Sequence, residues 1–294
     1  MRQNCAGCSS SRESSLCCGR KREVNETETE KKTAEEIRAA LSEENKDMEV
    51  IALDTVDSTN TYAKERLKEH PMEKALIAAG EQTAGRGRRG KSFSSVRGNG
   101  IYMTLVYGVH EPAQSFLFIT SAVAVAVARV LERMSDEKPM IKWVNDIWSG
   151  DRKICGILTE AVSAPGSRLL DYCVIGIGIN INADLAKMPE VVQEVAGTVR
   201  SLHGTNEQLI AAVADEVLRV AGQLDDDALH EEYRRRSMII GREIYWENRG
   251  ERREGRAVDI NRSGNLLVET ADGIEVLNSG LVSVRPSRKE ANDL

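Results

Sequence analysis

The sequence predicts an α+β fold with two parts, a large domain of helices and strands and a small C-terminal β domain. The chain has 294 residues, 41% of them hydrophobic, which is enough for one large core and one small one. Strand-like and helix-like patterns both occur between residues 48 and 236. Residues 242–285 instead hold short strands between turn signals, and Asp272-Gly273 between two alternating segments indicates a hairpin. We therefore expect a small β-barrel at 237–288 and a short tail at 289–294.

Residues 1–47 are predicted to be a polar tail with one short helix. Residues 1–32 are rich in Ser, Glu and Thr and can bury little, so we expect disorder there. Thr33 as N-cap and Glu36 at the capping-box position predict a helix over 33–43. Four of the six cysteines lie in the first twenty residues, where adjacent Cys17 and Cys18 argue against a zinc site. No metal site is predicted.

The large domain, 48–236, is predicted from hydrophobic periodicity and turn residues. Helices are expected at 60–69, 115–134, 205–224 and 228–236, and strands at 50–56, 74–79, 101–107, 140–148, 153–161 and 168–182. The helix at 115–134 is apolar nearly all round, which is typical of a central, buried helix. Residues 85–100 hold five glycines and no sustained apolar pattern, which predicts a long loop.

Composition indicates a soluble cytoplasmic protein. The longest apolar stretch, 116–128, is too short to cross a bilayer, and the N-terminus does not resemble a signal peptide. Cys155 and Cys173 lie in apolar runs and are expected to be buried thiols. The net charge of −6 argues against a protein that holds nucleic acid through an overall positive charge.

The segment Gly85–Lys91 concentrates four cations in seven residues. Its glycines allow close approach of the backbone to a ligand, and its arginines suit phosphate or carboxylate. We predict an anion-binding loop that becomes ordered when the anion arrives and excludes water. A solvated basic loop or a nucleic-acid patch remains the alternative, whereas a P-loop is excluded because its Lys-Ser/Thr pair is missing.

Ser58, Thr59 and Asn60 follow a predicted strand and offer short donors and acceptors. A neutral heterocycle such as a ureido ring needs such groups, because both its N–H and C=O edges must be satisfied. Ordinary helix capping is the alternative explanation for the same three residues.

A hairpin is predicted from residues 142–148 and 153–158. A four-residue loop at 149–152 would pair Trp148 with Lys153 and Asp146 with Cys155. Asp146 and Lys153 would then be diagonal neighbours roughly 7–8 Å apart, with room for a reacting group between them. A structural ion pair is the alternative.

The strand at 168–182 alternates strictly between isoleucines on one face and, on the other, Gly176, Gly178, Asn180 and Asn182. Glycines inside a strand often mark the close approach of a ligand or of another backbone. Either a ligand or a tightly packed helix is therefore expected over this face.

Residues 81–90, together with the Lys-Trp-Val-Asn-Asp run at 142–146, Lys153 and the Gly-Ile-Leu at 156–158, resemble the two signature segments of biotin–protein ligases. Val144 stands where that family usually has proline. The resemblance covers about residues 48–286. It implies a mixed or antiparallel sheet flanked by helices, like that of class II aminoacyl-tRNA synthetases, and a C-terminal SH3-like barrel. It also implies that biotin is activated with Mg-ATP and passed to a lysine of a biotin carboxyl carrier protein.

The resemblance also assigns roles to residues. Those implied to bind biotin are Ser58, Thr59, Asn60, Gln82, Arg86, Gly87, Arg88 and Lys153. Those implied to bind the nucleotide are Arg86, Arg88, Lys142, Asn145 and Asn180. Catalysis is implied for Lys153, Asp146 and Arg88, with Lys153 offsetting charge on the α-phosphate and Asp146 assisting the incoming amine. Phe93 corresponds to an aromatic residue near the biotin pocket.

Two other functions are compatible with the same signature segments and site residues. A lipoate ligase would have the same fold and adenylate chemistry. A biotin-sensing repressor would add an N-terminal helix-turn-helix, which residues 1–32 do not resemble, so DNA is not an expected partner. The sequence leaves a homodimer open.

Overall fold

The computed structural model describes residues 27–164, 166–248, 251–278 and 284–286. The expectations for residues 1–26 and 289–294 lie outside this range. The main feature is a seven-stranded mixed sheet of order β1-β2-β3-β7-β6-β5-β4, in which only β1 and β2 run parallel. Its strands are β1 Glu49–Val56, β2 Lys74–Gln82, β3 Gly100–Pro112, β4 Met140–Lys142, β5 Asp146–Ser149, β6 Arg152–Val162 and β7 Leu169–Asn180.

Helices cover both faces of this sheet. They are α1 Glu28–Ala40, α2 Thr59–Glu69, α3 Ile119–Met134, α4 Glu190–Gln193, α5 Asn206–Ala221 and α6 Asp227–Arg236. Side chains of α1, α3, α5 and α6 share one core with the sheet, whereas α2 packs in a second, smaller core. Alternate residues of a strand serve the two cores, as Leu76 and Ile77 do.

The central helix α3 confirms its predicted burial. Every residue from Val123 to Ala128 is fully buried, because the helix lies between the sheet and α5. Within the described part of the chain, only Ala113–Met134 is long and apolar enough to cross a membrane, and 72% of its apolar window is buried inside the fold. Cys155 and Cys173 are buried free thiols, as predicted, and burial raises the pKa of Cys173 to about 12.

The C-terminal part forms a five-stranded antiparallel sheet of order β11-β10-β9-β8-β12. Its strands are β8 Glu243–Asn248, β9 Glu251–Ile260, β10 Leu266–Thr270, β11 Gly273–Leu277 and β12 Val284–Pro286. The predicted hairpin at Asp272-Gly273 is confirmed, since Thr270 pairs with Gly273 and Gly273 has φ +117°. Trp246 and Val268 form part of its buried interior.

The first helix differs from its predicted bounds. It begins at Glu28, with Thr27 and Glu30 forming the capping box, and ends at Ala40. The sequence holds two successive Thr-x-x-Glu patterns, and the predicted helix starts at the second. The first is the cap, and the longer helix that results packs on α5 and β1 with Ile37 buried in its last turns.

The prediction of one strand over 140–148 is wrong, because this segment forms two strands, β4 and β5. β4 and β5 pair with each other in antiparallel fashion, and residues 143–145 form the turn between them. The Nε1 of Trp143 donates at 2.9 Å to the carbonyl of Gly264, which lies in the turn between β9 and β10. The hydroxyl of Tyr233 donates to the carbonyl of Val144. Contacts with distant residues therefore end the strand that the local pattern would continue.

Arg129 of α3 joins α5 and α6 through ion pairs with Glu216 and Glu232, at 3.0 and 2.5 Å. Burial alone would raise the pKa of both carboxyls, but hydrogen bonds from arginines lower each below its usual value of 4.5. A lowered pKa in the folded state contributes stability above the unfolded pKa, and that stability is lost as the pH falls through the folded value.

We expect Arg129→Leu to reduce the free energy of unfolding most at neutral pH and progressively less below pH 4.5. Urea unfolding of both proteins over a pH series measures this difference. Arg133→Leu, at an exposed position of the same helix, serves as the control. A difference for Arg129→Leu that stays constant at every pH would contradict this account.

Candidate active site

The turn between β1 and α2 supplies the neutral end of a cavity of about 190 Å³. Ser58, Thr59 and Asn60 are each at most 3% exposed. Ser58 occupies the N-cap position of α2, yet its side chain makes no capping hydrogen bond. Thr59 instead donates from its backbone N–H to Oε1 of Gln82 at 2.9 Å, and its hydroxyl lies 3.1 Å from the same oxygen. The capping alternative therefore does not account for these side chains.

Residues 82–95 form a short irregular hairpin rather than a loop without regular pairing. Gln82 bridges to Ser95 and Arg86 to Ser92, and a 3₁₀ turn lies at Arg88–Gly90. Gly85 is required by close packing, because a Cβ there would lie 2.4 Å from the carbonyl oxygen of Phe93. The hairpin extends over the cavity and brings Arg86 and Arg88 to its lining.

Asp146 and Lys153 are in direct contact, with Oδ1 and Nζ 2.8 Å apart. Trp148 pairs with Lys153, as predicted, but Asp146 pairs with Gly156 rather than Cys155. The predicted loop 149–152 is also shorter, because Ser149 pairs with Arg152. A bulge between Ile147 and Trp148 shifts the register by one residue. Lys153 reaches Asp146 by extending its side chain over Gly156, where an added Cβ would lie 3.3 Å from its Nζ.

Asn145 connects the hairpin at residues 82–95 to strand β6 of the large sheet. Its Nδ2 donates to the carbonyl of Ile157 at 2.8 Å, and its Oδ1 accepts from Nη1 of Arg88 at 2.9 Å. Burial lowers the pKa of the Arg88 guanidinium, and the negative charge of Asp146 acts in the opposite direction. A cation held in partly desolvated surroundings favours the binding of an anion.

The cavity brings together ten of the twelve residues that are expected at the site. These are Ser58, Thr59, Asn60, Gln82, Arg86, Gly87, Arg88, Asn145, Asp146 and Lys153. One end presents hydroxyls and amides, and the other presents arginines, a lysine and one carboxylate. Such an arrangement suits a ligand with a neutral polar ring and an anionic tail.

Lys142 and Asn180 do not line this cavity. The Nζ of Lys142 lies 4.6 Å from the ring centre of Trp148, on the side of a separate surface depression. Asn180 is 6% exposed and donates from Nδ2 to the carbonyl of Gly197 at 2.8 Å. Its contact ties the end of β7 to the segment that follows α4.

Sequence reasoning missed Thr104 and Glu160. Thr104 is fully buried behind the neutral end, with its Oγ1 2.6 Å from Oδ1 of Asn60 and 2.8 Å from Oγ1 of Thr59. Glu160 lies on β6 and accepts from Nδ2 of Asn60 at 2.9 Å. The signal was present, since Glu160 follows Gly156 and Leu158 at a period of two and so shares their face.

The glycine face of β7 packs under two side chains of the site. A Cβ on Gly176 would lie 2.3 Å from Oδ1 of Asn60, and one on Gly178 would lie 2.4 Å from the ring of Phe93. The isoleucines of the other face, including Ile175 and Ile179, are buried in the main core as predicted.

We expect Gly176→Ala to displace the amide of Asn60 and to destabilise the protein by about 1–3 kcal/mol, as overpacking does. Ligand binding at the neutral end should weaken as well. Urea unfolding and ligand titration measure the two effects. Gly222→Ala is the matched control, because its new Cβ would have no neighbour closer than 3.7 Å. Equal stability of the two variants would contradict the tight packing.

The comparisons with known proteins agree with this fold. The model of the Biotin/lipoate A/B protein ligase family matches residues 52–180, and that of the Biotin protein ligase C terminal domain matches residues 239–285. The bifunctional ligase/repressor BirA of Bacillus spizizenii is 31% identical over 253 residues, which cover 83% of this chain and 76% of that protein. The biotin–[acetyl-CoA-carboxylase] ligase of Mycobacterium tuberculosis is 27% identical over 220 residues, 71% of this chain and 78% of the relative.

A solved structure is similar as well. The biotin protein ligase from Aquifex aeolicus in complex with biotin and ATP matches with a TM-score of 0.66 and 25% identity, over 81% of this chain and 99% of that one. The mixed sheet with its flanking helices and the gathered cavity thus define a ligase of the biotin/lipoate A/B class. The segment that forms the second sheet matches the C-terminal domain of biotin protein ligases. The chain belongs to the biotin protein ligase family.

Proposed function

We propose that this protein activates biotin with ATP to biotinyl-5′-adenylate and transfers the biotinyl group to a lysine of a biotin carboxyl carrier protein. The observation that carries the proposal is the two-ended cavity, in which Thr59 and Asn60 lie at one end and Arg88 and Lys153 at the other. The ureido ring of biotin is neutral and polar, and its valerate carboxylate and the phosphates of ATP are anionic. The similar ligase from Aquifex aeolicus, solved in complex with biotin and ATP, supports this choice of ligands.

In the first step a carboxylate oxygen of biotin attacks the α-phosphorus of ATP. The new O–P bond forms as the bond to the β-phosphate bridging oxygen breaks, and pyrophosphate leaves. Negative charge builds on the α-phosphate, and Arg86, Arg88 and Lys153 are proposed to offset it. Magnesium is proposed to arrive bound to ATP, since the described residues contain no group of three His, Cys, Asp or Glu side chains suited to a metal.

In the second step the lysine amine of the carrier attacks the carbonyl carbon of the mixed anhydride. An amide forms, AMP leaves, and the amine gives up a proton that Asp146 is proposed to accept. Asp146 already contacts Lys153, so the two steps would share one ion pair. The Gly85–Lys91 hairpin is proposed to shield the anhydride from water.

Incubation with ATP, biotin and a carrier domain tests the proposal. We expect the carrier to gain the mass of one biotinyl group at a single lysine, with one pyrophosphate released per group. Absence of both products with a folded enzyme and a competent carrier would overturn it. A carrier domain whose acceptor lysine is replaced by arginine is the control.

Lipoate is the competing substrate, because the matching family model covers ligases of both acids. We infer biotin because the second sheet matches the C-terminal domain of biotin protein ligases. Competition between biotin and lipoate in the pyrophosphate-release assay separates the two. Preferential turnover of lipoate would contradict this choice.

The cell compartment, the assembly and the role of DNA are part of the same proposal. We infer a cytoplasmic enzyme that acts on the carrier of a biotin-dependent carboxylase such as acetyl-CoA carboxylase, and homodimerisation is left open. BirA of Bacillus spizizenii is named a repressor as well as a ligase. In the described chain before β1 lie one α-helix, α1, and a 3₁₀ turn. The proposal concerns the ligase activity alone.

A further inference from the structure

Glu160 lies next to the cavity-lining residue Asn60, at a point where three parts of the chain meet. Its side chain is 19% exposed and accepts hydrogen bonds from Nδ2 of Asn60 at 2.9 Å and Nζ of Lys64 at 2.7 Å. The Nη2 of Arg86, from the hairpin loop, lies 3.8 Å away. One carboxylate thus contacts α2, where Asn60 and Lys64 lie, and the loop that covers the cavity.

The contact with Glu160 determines which way the Asn60 amide points. Nδ2 has two neighbours, the Glu160 carboxylate and the carbonyl of Leu158 at 3.3 Å, and both can only accept hydrogen bonds. The amino group of Asn60 must therefore face them. Its carbonyl oxygen, Oδ1, is directed the opposite way, toward Thr104.

Oδ1 of Asn60 can also accept a hydrogen bond from a ligand. The hydroxyl of Thr104 carries one proton and has two acceptors within reach, Oδ1 of Asn60 and Oγ1 of Thr59. A carbonyl oxygen has two lone pairs, so Oδ1 can accept a second hydrogen bond even while it accepts from Thr104. Asn60 lines the cavity, and the missing side chain of Gly176 leaves room for its amide.

We propose that Glu160 is a positioning residue for the ring of the substrate, because it fixes Asn60 so that the carbonyl oxygen, and not the amino group, accepts a ring N–H. The inference rests on the proposed function, in which that ring is the ureido ring of biotin. Glu160 itself need not touch the ring. It acts by removing one of the two orientations that an asparagine amide otherwise adopts.

The charge of Glu160 supports this role. Burial would raise the pKa of its carboxyl, but hydrogen bonds from Lys64 and Asn60 and the nearby charges of Lys64 and Arg86 lower it below its usual range. Glu160 is therefore ionised at neutral pH and cannot donate to Asn60. A neutral glutamine in its place can present either its donor or its acceptor, which would leave only the 3.3 Å contact with the carbonyl of Leu158 to orient the Asn60 amide.

The competing explanation is that Glu160 serves only as the structural counter-charge of Lys64. Lys64→Met separates the two, because it removes that ion pair and leaves the contact between Glu160 and Asn60 intact. A swapped pair, Asn60→Asp with Glu160→Gln, separates them further. In it the glutamine amino group donates to the new carboxylate, an oxygen again faces the cavity with the pair's charge unchanged, and only the 3.3 Å bond to the carbonyl of Leu158 is lost.

Equilibrium binding of biotin and of its two ring-N-methyl derivatives to the full chain tests the proposal. For Glu160→Gln we expect a Kd for biotin about tenfold weaker, the loss typical of one hydrogen bond, with kcat at saturating biotin within about twofold of wild type. The preference for biotin over one N-methyl derivative should shrink in parallel. The swapped pair should recover part of both, and Lys64→Met should leave both near wild type.

Unchanged Kd and preference in folded Glu160→Gln would overturn the inference, and so would a Lys64→Met variant that reproduces its defect while the swapped pair fails to rescue it. If Glu160→Gln does not fold, Glu160→Asp replaces it. Its carboxylate is one methylene further from Asn60, so a weaker Kd there supports the inference, and unchanged binding in both Glu160→Asp and Asn60→Asp would overturn it. Failure of the wild-type protein to bind biotin would instead overturn the proposed function. Glu111→Gln, at an exposed position of β3, is the control.

Discussion

Lys153→Ala is expected to reduce pyrophosphate release by about 100-fold to 1000-fold, the range found when one preorganised group that stabilises transition-state charge is removed. Lys153 lies at the anionic end of the cavity and contacts Asp146 at 2.8 Å. Its positive charge matters most when the α-phosphate gains negative charge, which happens only as the adenylate forms. The Kd for biotin should weaken by no more than about tenfold, the effect of one lost hydrogen bond.

Pre-steady-state pyrophosphate release and equilibrium binding of biotin measure the two effects on the same preparations. Lys138→Ala, which changes an exposed lysine between α3 and β4, is the control for the loss of a lysine. Pyrophosphate release by Lys153→Ala at the wild-type rate would rule out the proposed role. A loss of biotin binding as large as the loss of rate would show that Lys153 acts in binding rather than in the chemical step.

Arg88→Ala is expected to release the adenylate early and to label proteins that are not carriers. Arg88 joins the hairpin loop to the turn at 143–145 through its bond to Oδ1 of Asn145, 2.9 Å long. Replacing Arg88 by alanine removes this hydrogen bond, which holds the loop against the turn, and also removes a cation beside the proposed position of the phosphate. Hydrogen bonds of charged groups contribute about 1.5–3 kcal/mol, so the adenylate should be held roughly ten-fold to a hundred-fold less tightly.

Labelling of a bystander protein at a fixed time, relative to labelling of the carrier, measures this release. Asn145→Ala should raise the same ratio, because it removes the other partner of the bond and leaves the charge of Arg88. Arg133→Ala, at an exposed position on α3, controls for the loss of an arginine. No rise over wild type in either site variant would remove the proposed retaining role of Arg88.

Much of the fold follows from patterns that are local in the sequence. β1, β2, β6, α2 and α6 begin within one residue of their predicted positions, because a change of hydrophobic period marks each boundary. The break between β4 and β5 was missed, because the contacts of Trp143 and Val144 that end the strand are made with Gly264 and Tyr233, about ninety or more residues away. α4 was missed because it has only four residues, too few to show a period.

The sequence by itself determined which groups are available to the site and which face each occupies. Side chains on a strand alternate with a period of two, so the glycine face of β7, with Gly176 and Gly178 on the side opposite the isoleucines, follows from the chain alone. The sequence also determined the chemistry, with short neutral groups at 58–60 and cations at 85–91.

Only the tertiary structure decided which of these groups meet. The side chain of Lys153 reaches Asp146 although their backbones are not paired, and Asn180 binds the carbonyl of Gly197 instead of lining the cavity. Glu160 reaches Asn60 although 100 positions separate them along the chain. Local periodicity fixes the face of a side chain but not the register of two strands or the neighbour across a cavity, because both depend on packing between distant segments.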